Sequence, residues 1–221
     1  MMNIGIIIPA FNAGETIGTV ISRVAKHIHI ESIIVVDDGS SDTTASVAAS
    51  MGARVLNHPV NRGKGAALQT GFDFMLQTSL DAVITLDADL QHPPDFIPQF
   101  TDMYSSGEYD VIIGSRLHDK KGMPFHRVLS NTITTFLVSA RTAKKISDSQ
   151  SGYRLIDRKV LESVRLKSYG FEAETEFIIK AAAHGFRFGF VPIETIYAGE
   201  KSHMKHFSTT LNFVKVLFQD Y

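Results

Sequence analysis

The sequence of 221 residues contains no cysteine, and its positive and negative side chains nearly balance, with a formal net charge of −1. Without cysteine the chain forms no disulfide, thiolate zinc site or cysteine nucleophile, and this composition fits a reducing compartment. The near-neutral charge argues against broad nucleic-acid binding by bulk electrostatics. No apolar stretch approaches the ~18 residues of a membrane span, and the N-terminus lacks the basic region and cleavage site of a signal peptide. We therefore expect a cytoplasmic protein that reaches a membrane only peripherally, at its cytoplasmic face or through a membrane-protein partner.

Several nucleotide-binding and metal-binding motifs are missing as well. The first predicted strand is followed by Phe11-Asn12-Ala13-Gly14. This is neither the G-x-G-x-x-G of dinucleotide oxidoreductases nor the glycine-rich loop expected of nucleotide-sugar synthesis. The P-loop spacing G-x-x-x-x-G-K-[ST] is absent around Lys64, and no His residue shows H-x-x-x-H spacing near a carboxylate. A non-catalytic nucleotide-binding module stays open as an alternative to an enzyme.

Short apolar runs alternate with segments of helical periodicity, and 44% of the residues are hydrophobic. This alternation predicts an α/β fold with a doubly wound, mostly parallel sheet flanked by helices. The predicted strands are Ile4–Ala10, Ile33–Val36, Ala53–Asn57, Ala82–Leu86, Val111–Ile113, Arg187–Val191 and Ile193–Tyr197, and the later helices are Met123–Ala143, Phe171–Ala183 and Thr209–Phe218. No linker or repeat interrupts the chain, so we expect a single domain over residues 1–221.

The segment Ile84–Gln91 is the most informative part of the sequence. An apolar run ends there in Asp87 and Asp89, at the carboxyl tip of a strand, where open α/β sheets bind their ligands. Two carboxylates so placed can hold Mg²⁺ or Mn²⁺ against the phosphates of a nucleotide. Alone, a D-x-D pair is most often a solvated turn, so the prediction depends on the neighbouring loops.

Polar residues also follow three other predicted strands. Asn12 and Glu15 have the spacing of a helix-capping box with Asn12 as the cap. Asp37 and Asp38 follow the second strand, and Lys64 lies between two glycines after the third. Each group has a plainer interpretation as a turn or a helix start. Because the carboxyl ends of parallel strands lie along one edge, we expect all four groups to converge on one site.

Seven segments carry a resemblance to a known family. In chain order they are Pro9-Ala10-Phe11-Asn12 with Glu15, Val36-Asp37-Asp38-Gly39-Ser40-Ser41-Asp42, Asn61-Arg62-Gly63-Lys64-Gly65, Asp87-Ala88-Asp89-Leu90-Gln91-His92-Pro93-Pro94, Gly114-Ser115-Arg116, Asp148-Ser149-Gln150-Ser151-Gly152-Tyr153-Arg154 and Phe171-Glu172-Ala173-Glu174. This ordered set resembles the inverting family 2 glycosyltransferases with the GT-A fold. It is most similar to the dolichol- and polyprenyl-phosphate mannosyl- and glucosyltransferase branch, over roughly residues 4 to 203.

The resemblance implies a role for each matching position. The residues implied to bind the nucleotide sugar are Pro9, Asn12, Glu15, Asp37, Asp38, Lys64, Asp87, Ala88, Arg154, Lys201 and Ser202. Asp87, Asp89 and Gln91 are implied to bind the cofactor, Mg²⁺ or Mn²⁺. The implied catalytic residues are Asp148, Arg116 and Glu174. Arg116 and Arg154 are expected to face phosphate groups. Residues 1–114 are expected to form the nucleotide-binding half and 115–221 the acceptor half.

The implied reaction transfers a hexose from a nucleotide sugar, of the GDP-mannose or UDP-glucose type, to a polyprenyl or dolichyl phosphate. A phosphate acceptor with a second pKa near ~6 is already largely ionised at neutral pH and needs little help from a base. The alternative is a saccharide hydroxyl acceptor, which needs a base. Asp148 is the first candidate for that base and Glu174 the second. The plainer interpretation of Asp148 is a turn or helix-capping residue.

Basic residues flank the predicted helix at 123–143 and suggest where an acceptor in a membrane would be met. They are Arg116, Lys120, Lys121 and Arg127 towards its start and Arg141, Lys144 and Lys145 at its end. Such a helix suits a membrane surface rich in anionic lipid. The plainer alternative is a core helix with solvated ends. The final helix, with Phe207, Leu211, Val214 and Phe218 on one face, either covers the core or faces lipid.

Overall fold

The computed structural model describes residues 2–117, 123–194 and 206–221. Within these ranges seven strands form one sheet: β1 (Ile4–Ala10), β2 (Ile33–Asp37), β3 (Arg54–Asn57), β4 (Ala82–Thr85), β5 (Val111–Ser115), β6 (Arg154–Asp157) and β7 (Phe188–Pro192). The α-helices are α1 (Ile17–Val24), α2 (Thr44–Ser50), α3 (Lys64–Met75), α4 (Ile97–Ser105), α5 (Phe125–Thr142), α6 (Arg158–Ser163), α7 (Ala173–Ala183) and α8 (His206–Phe218). None of the helices in the described ranges is both long enough and apolar enough to cross a membrane. The predicted single α/β domain with a mostly parallel sheet is confirmed.

The order of the strands decides which loops meet. It is β3-β2-β1-β4-β6-β5-β7. β1 pairs in parallel with β2 and β4, β2 with β3, and β5 with β7, whereas β6 runs antiparallel between β4 and β5. The carboxyl ends of the parallel strands and the amino end of β6 therefore share one edge of the sheet. Ligands of open α/β sheets bind at such an edge.

Hydrophobic layers cover both faces of the sheet. Because successive strand residues point to opposite faces, Ile6 and Ile8 pack in one layer with α1, while Ile7 packs in the other with α3 and α7. Every residue of β1, β2, β4 and β5 is buried, as expected for parallel strands covered on both sides. The helical spacing of Ile17, Val20, Ile21 and Val24 gives α1 its buried face.

Several elements differ from the predictions. The sequence pattern does not predict β6, because this strand has only four residues and a charged side chain at each end, Arg154 and Asp157. Nor does it predict α4. Ile193 and Glu194 lie outside any strand, and the rest of the predicted Ile193–Tyr197 strand lies outside the described residues. The capping box predicted at Asn12 is wrong, because α1 begins only at Ile17.

The loop before α3 depends on Gly63. This residue has φ 94° and ψ 157°, a backbone conformation that residues with a Cβ rarely adopt. A Cβ there would lie 2.3 Å from the backbone oxygen of Tyr169. Gly65 donates its N–H to the same oxygen at 2.7 Å. The loop therefore holds the first turn of α3 against the segment that precedes α7.

We predict that Gly63→Ala lowers the free energy of unfolding by about 3 kcal/mol, because it combines a strained backbone with a clash against backbone atoms. Gly107→Ala is the matched control. Gly107 also has a positive φ, 69°, but an added Cβ would meet nothing within 4 Å. Gly107→Ala should therefore lower the free energy of unfolding by only about 1 kcal/mol. Urea denaturation of both variants measures the difference. Equal losses would contradict a constraint from the Tyr169 contact.

Candidate active site

Side-chain hydrogen bonds join the loops after β1 and β2. Ser40 Oγ accepts the Asn12 N–H at 2.8 Å, and Asn12 Oδ1 accepts the Ser41 N–H at 2.9 Å. Asp37 Oδ1 accepts the Ser40 N–H at 3.3 Å and is also contacted by the Ser40 hydroxyl. Asn12 has φ 50°, a left-handed conformation that short polar side chains tolerate. Asn12 therefore fixes the β2 loop and does not cap α1.

Asp38 holds the segment that leads into α3. Its side chain is buried, and Oδ1 accepts the Arg62 N–H at 2.9 Å and lies 2.6 Å from His58 Nδ1. Oδ2 accepts the Gly63 N–H at 2.7 Å. Both oxygens are thus directed at the protein. Asp38 shapes the loop, and its direct contact with a nucleotide stays a prediction.

Lys64, at the start of α3, lies between two carboxylates. Its Nζ is 2.6 Å from Asp87 Oδ1, after β4, and 2.6 Å from Glu174 Oε1, at the start of α7. Burial disfavours the charge on Lys64, but the two carboxylates outweigh burial and raise the pKa of its ammonium. Burial likewise opposes the charge on Asp87, but Lys64 outweighs it and lowers the pKa of that carboxyl. The two short contacts of Lys64 therefore hold the three segments together.

His92 lies beneath this cluster as a neutral ring. It is buried, and its Nδ1 lies 3.9 Å from Asp87 Oδ2. Burial lowers the pKa of the imidazole to about 4, against the opposing pull of Asp87. Neither ring nitrogen has a hydrogen-bond partner among the described residues. The sequence pattern assigns no role to this residue.

Gly152 leaves the space that the charged cluster occupies. A Cβ at this position would lie 2.9 Å from Asp87 Oδ2, Glu174 Oε1 and Lys64 Nζ alike. The Gly152 carbonyl accepts the Thr85 hydroxyl at 2.7 Å, which fixes the loop before β6 to the end of β4. Sequence reasoning assigns Gly152 no role. A glycine near the start of a strand, where another chain segment approaches closely, is the signal that identifies it.

Arg154 is turned into the protein. Its Nε donates to the Ser151 carbonyl at 2.8 Å, Nη1 to the Glu174 carbonyl at 2.9 Å and Nη2 to the Ser149 carbonyl at 3.1 Å. Nη2 also lies 3.6 Å from Glu174 Oε2. These contacts tie the loop before β6 to the start of α7. They favour a positioning role for Arg154 over the predicted contact with phosphate.

Arg116 and Asp148 form a bidentate pair between the end of β5 and the loop before β6. Arg116 Nε donates to Asp148 Oδ2 at 2.8 Å and Nη2 donates to Oδ1 at 3.0 Å. The Arg116 N–H adds a contact to Oδ2 at 3.1 Å. Asp148 is fully buried. Burial raises the pKa of its carboxyl, but Arg116 outweighs burial and lowers it, which is the wrong direction for a general base.

The segment 87–91 carries the three side chains that are predicted to bind a divalent cation. Asp87, Asp89 and Gln91 lie on this loop, and Asp89 Oδ1 accepts the Gln91 N–H at 3.0 Å. No cluster of three or more His, Asp or Glu side chains suited to a metal occurs within the described ranges. Mg²⁺ commonly binds through one or two carboxylates while it keeps waters and substrate phosphates. The donor set therefore fits a metal that arrives with a diphosphate.

The remaining predicted residues differ in exposure. Pro9 is buried in β1 opposite Val36, and Ala88 is buried in the loop after β4. Glu15 is exposed just before α1. Lys201 and Ser202 lie outside the described residues, so their roles stay predictions.

A comparison with known protein families decides the class. Residues 5–165 match the model of Glycosyl transferase family 2. The chain belongs to this family. The prediction of an enzyme that transfers glycosyl groups is thereby confirmed.

Relatives with curated names lie in the predicted branch. The UDP-N-acetylglucosamine–dolichyl-phosphate N-acetylglucosaminyltransferase of Methanococcus voltae is 29% identical over 214 residues, 87% of this chain and 85% of the relative. The polyprenol monophosphomannose synthase of Mycolicibacterium smegmatis is 30% identical over 204 residues, 85% and 75% of the two chains. The dolichol-phosphate mannosyltransferase of Pyrococcus furiosus is 32% identical over 192 residues, which cover 81% of this chain and 53% of that protein. The predicted similarity to this branch is confirmed.

A solved structure shares the fold. Glucosyl-3-phosphoglycerate synthase from Mycobacterium tuberculosis, in complex with Mn²⁺, UDP and glucosyl-3-phosphoglycerate, matches with a TM-score of 0.78. The match covers 98% of this chain and 78% of that chain at 24% identity. At this identity the likeness establishes the fold, which is of the predicted GT-A type.

We predict that Asp148→Asn lowers the free energy of unfolding at pH 7 by about 3 kcal/mol, because Arg116 loses the charge that compensates its burial. The folded-state pKa of Asp148 lies below the ordinary value of ~3.9. The stabilisation is therefore present above that ordinary value and is lost as the pH falls through the folded-state pKa. The stability gap between wild type and variant should thus close below pH ~4.

Urea denaturation at pH 7 and at steps below pH ~4 measures this gap. Asp102→Asn, at an exposed position on α4, is the control and should change stability little. A gap that persists unchanged into strong acid would contradict the buried pair as its cause.

Proposed function

We propose that this glycosyltransferase moves a hexose from a nucleotide sugar, of the GDP-mannose or UDP-glucose type, to a polyprenyl or dolichyl phosphate, with inversion at the anomeric carbon. The observation that carries the proposal is the meeting of Asp87, Lys64 and Arg116 at one edge of the sheet. Lys64 contacts Asp87 directly, and Arg116 follows β5 at the same edge of the sheet. The named relatives that act on dolichyl and polyprenyl phosphate support this acceptor.

In this proposal the residues divide the work on the donor. Asp87, Asp89 and Gln91 would hold Mg²⁺ or Mn²⁺, which when bound supplies stabilisation of the charge that develops on the leaving diphosphate. The Mn²⁺ in the structurally similar synthase supports such a metal. Lys64 and Arg116 neutralise and orient phosphate oxygens. The carboxyl ends of β1 and β2 and the loops after them, which carry Pro9, Asn12, Glu15, Asp37 and Asp38, shape the nucleoside pocket.

The state of the two candidate bases favours a phosphate acceptor over a saccharide hydroxyl. Asp148 is fully buried, and both of its oxygens accept from Arg116. Glu174 is buried, with Oε1 on Lys64 and Oε2 near Arg154. These contacts occupy both carboxylates, which argues against either of them as the base for a hydroxyl acceptor. A phosphate acceptor carries its own negative charge and needs cations, and Arg116, positioned by Asp148, supplies one.

Exposed apolar side chains on two helices support an acceptor held in a membrane. α5 exposes Leu129, Ile133 and Phe136, and α8 exposes Leu211, Val214 and Phe218. The two helices contact each other, and Arg141 Nε donates to the Leu217 carbonyl at 3.2 Å. Lys144 and Lys145 are exposed at the end of α5, while Lys120 and Lys121 lie outside the described residues. Apolar side chains beside basic ones suit an interface with anionic lipid.

We predict that the correct nucleotide sugar raises the melting temperature and that Mn²⁺ increases this shift, because ligands that bind the native state stabilise it. Asp89→Ala should abolish the Mn²⁺-dependent part of the shift and leave the fold intact. A thermal-shift screen of GDP- and UDP-sugars, with and without Mn²⁺, identifies the donor. Asp102→Ala is the control and should behave as wild type. A full Mn²⁺ effect in the Asp89 variant would refute the metal assignment.

The donor found in this way then decides between the acceptors. Transfer to a polyprenyl phosphate in detergent micelles supports the proposed reaction. Transfer only to soluble saccharides would overturn it in favour of the hydroxyl acceptor.

We predict that Phe136→Asp lowers binding to anionic lipid vesicles by roughly tenfold, as expected from the loss of one buried aromatic side chain at the interface. Phe136 is 71% exposed on α5, so the fold should tolerate the change. Met51→Asp alters another exposed apolar residue, just after α2, and should leave vesicle binding unchanged. Co-sedimentation with phosphatidylglycerol-containing vesicles measures both. Equal binding by wild type and Phe136→Asp would count against this surface.

A further inference from the structure

We infer that Lys64 competes with the divalent cation for Asp87, so that the metal binds weakly alone and tightly only together with a nucleotide diphosphate. Glu174 is the positioning residue that keeps Lys64 in place during this exchange. The inference rests on the proposed function, which assigns Asp87 to the metal.

The competition follows from the contact between Lys64 and Asp87. Lys64 Nζ lies 2.6 Å from Asp87 Oδ1, on the carboxylate that would ligate the metal. The Lys64 side chain is only 16% exposed, so solvent screens its charge weakly. An ammonium and a divalent cation on one carboxylate repel each other strongly at such short range. Asp87 therefore cannot bind Lys64 and the metal ion tightly at the same time.

Glu174 gives Lys64 a second partner, which is itself paired with Arg154. Oε1 of Glu174 lies 2.6 Å from Lys64 Nζ, and Oε2 lies 3.6 Å from Arg154 Nη2. Arg154 is itself fixed by backbone carbonyls on both sides of the cluster. When Asp87 turns to the metal, Lys64 retains the charge of Glu174. The ammonium thus stays beside the position at which the phosphates of the donor would lie.

A nucleotide diphosphate changes the balance between the two cations. Its negative oxygens attract the metal and also replace Asp87 as a partner of Lys64. The repulsion between ammonium and metal becomes an attraction of both for one anion. Each ligand therefore raises the affinity of the other by the same factor, as thermodynamic linkage requires.

Two substitutions with opposite expected effects test the inference, and the measurement is Mn²⁺ binding followed by the electron paramagnetic resonance signal of the free ion. Lys64→Met removes the competitor, so the Kd for Mn²⁺ alone should fall by about tenfold. The gain in Mn²⁺ affinity on addition of UDP or GDP should shrink. Glu174→Gln leaves Lys64 with Asp87 alone, so the Kd for Mn²⁺ alone should rise. Lys26→Met, at an exposed position after α1, is the matched control and should change neither value.

An unchanged or higher Kd for Mn²⁺ alone in Lys64→Met would overturn the inference. Should that variant fail to fold, Glu174→Gln decides, and an unchanged or lower Kd there overturns it. Wild-type protein that binds no Mn²⁺ even with UDP or GDP would refute the metal site of the proposed function and the inference with it. If wild-type protein binds Mn²⁺ in a nucleotide-dependent way but Lys64→Met leaves the Kd for Mn²⁺ alone unchanged, the competition alone is refuted.

Discussion

The contact of one ammonium with two carboxylates is the constraint on which the site depends. Lys64, Asp87 and Glu174 come from the start of α3, the loop after β4 and the start of α7. Carboxylates as little exposed as these are costly without a compensating cation, and removing one member of such a group leaves an unpaired charge. The three segments must therefore meet. The sheet order makes this possible, because the reversed strand β6 brings its preceding loop, with Gly152, to the same edge.

The charged residues of this edge fall into two groups according to where their hydrogen bonds go. Asp38, Asp148 and Arg154 are buried and bind protein groups, namely the loop at 62–63, Arg116 and the carbonyls around β6. Lys64 and Asp87 are more exposed, and their contacts are ion pairs that another charge can replace. The first group builds the framework, and the second presents charge to a ligand. In the proposed function, the buried group keeps the shape of the site while Lys64 and Asp87 change partners.

Local sequence patterns account for much of this fold but for little of the pairing within the site. Apolar runs predict β1, β2 and β4 almost to the residue, because strands covered on both faces are uniformly apolar. The sequence pattern does not predict the four-residue β6, since its ends are charged and its partner strands lie far away in the chain. The convergence of the polar loops follows from parallel topology. Topology does not predict which carboxylate turns inward to pair with a cation. Arg116 and Asp148 are 32 residues apart, and no sequence periodicity relates them. The capping box at Asn12 fails for the same reason, as the partner of that side chain is a distant loop.

The saturation of the carboxylates bears on the chemistry that this edge can support. Proton removal requires a carboxylate with a free oxygen and a pKa near the working pH. Here the pKa of Asp148 is lowered by Arg116, and Glu174 is shared between Lys64 and Arg154. Both candidate bases are thus paired with cations. What the edge offers instead is fixed positive charge, in Lys64 and Arg116, beside acidic donors for a metal. Such an arrangement is suited to reactants that are anions on both sides of the transferred sugar, a diphosphate leaving group and a phosphate nucleophile.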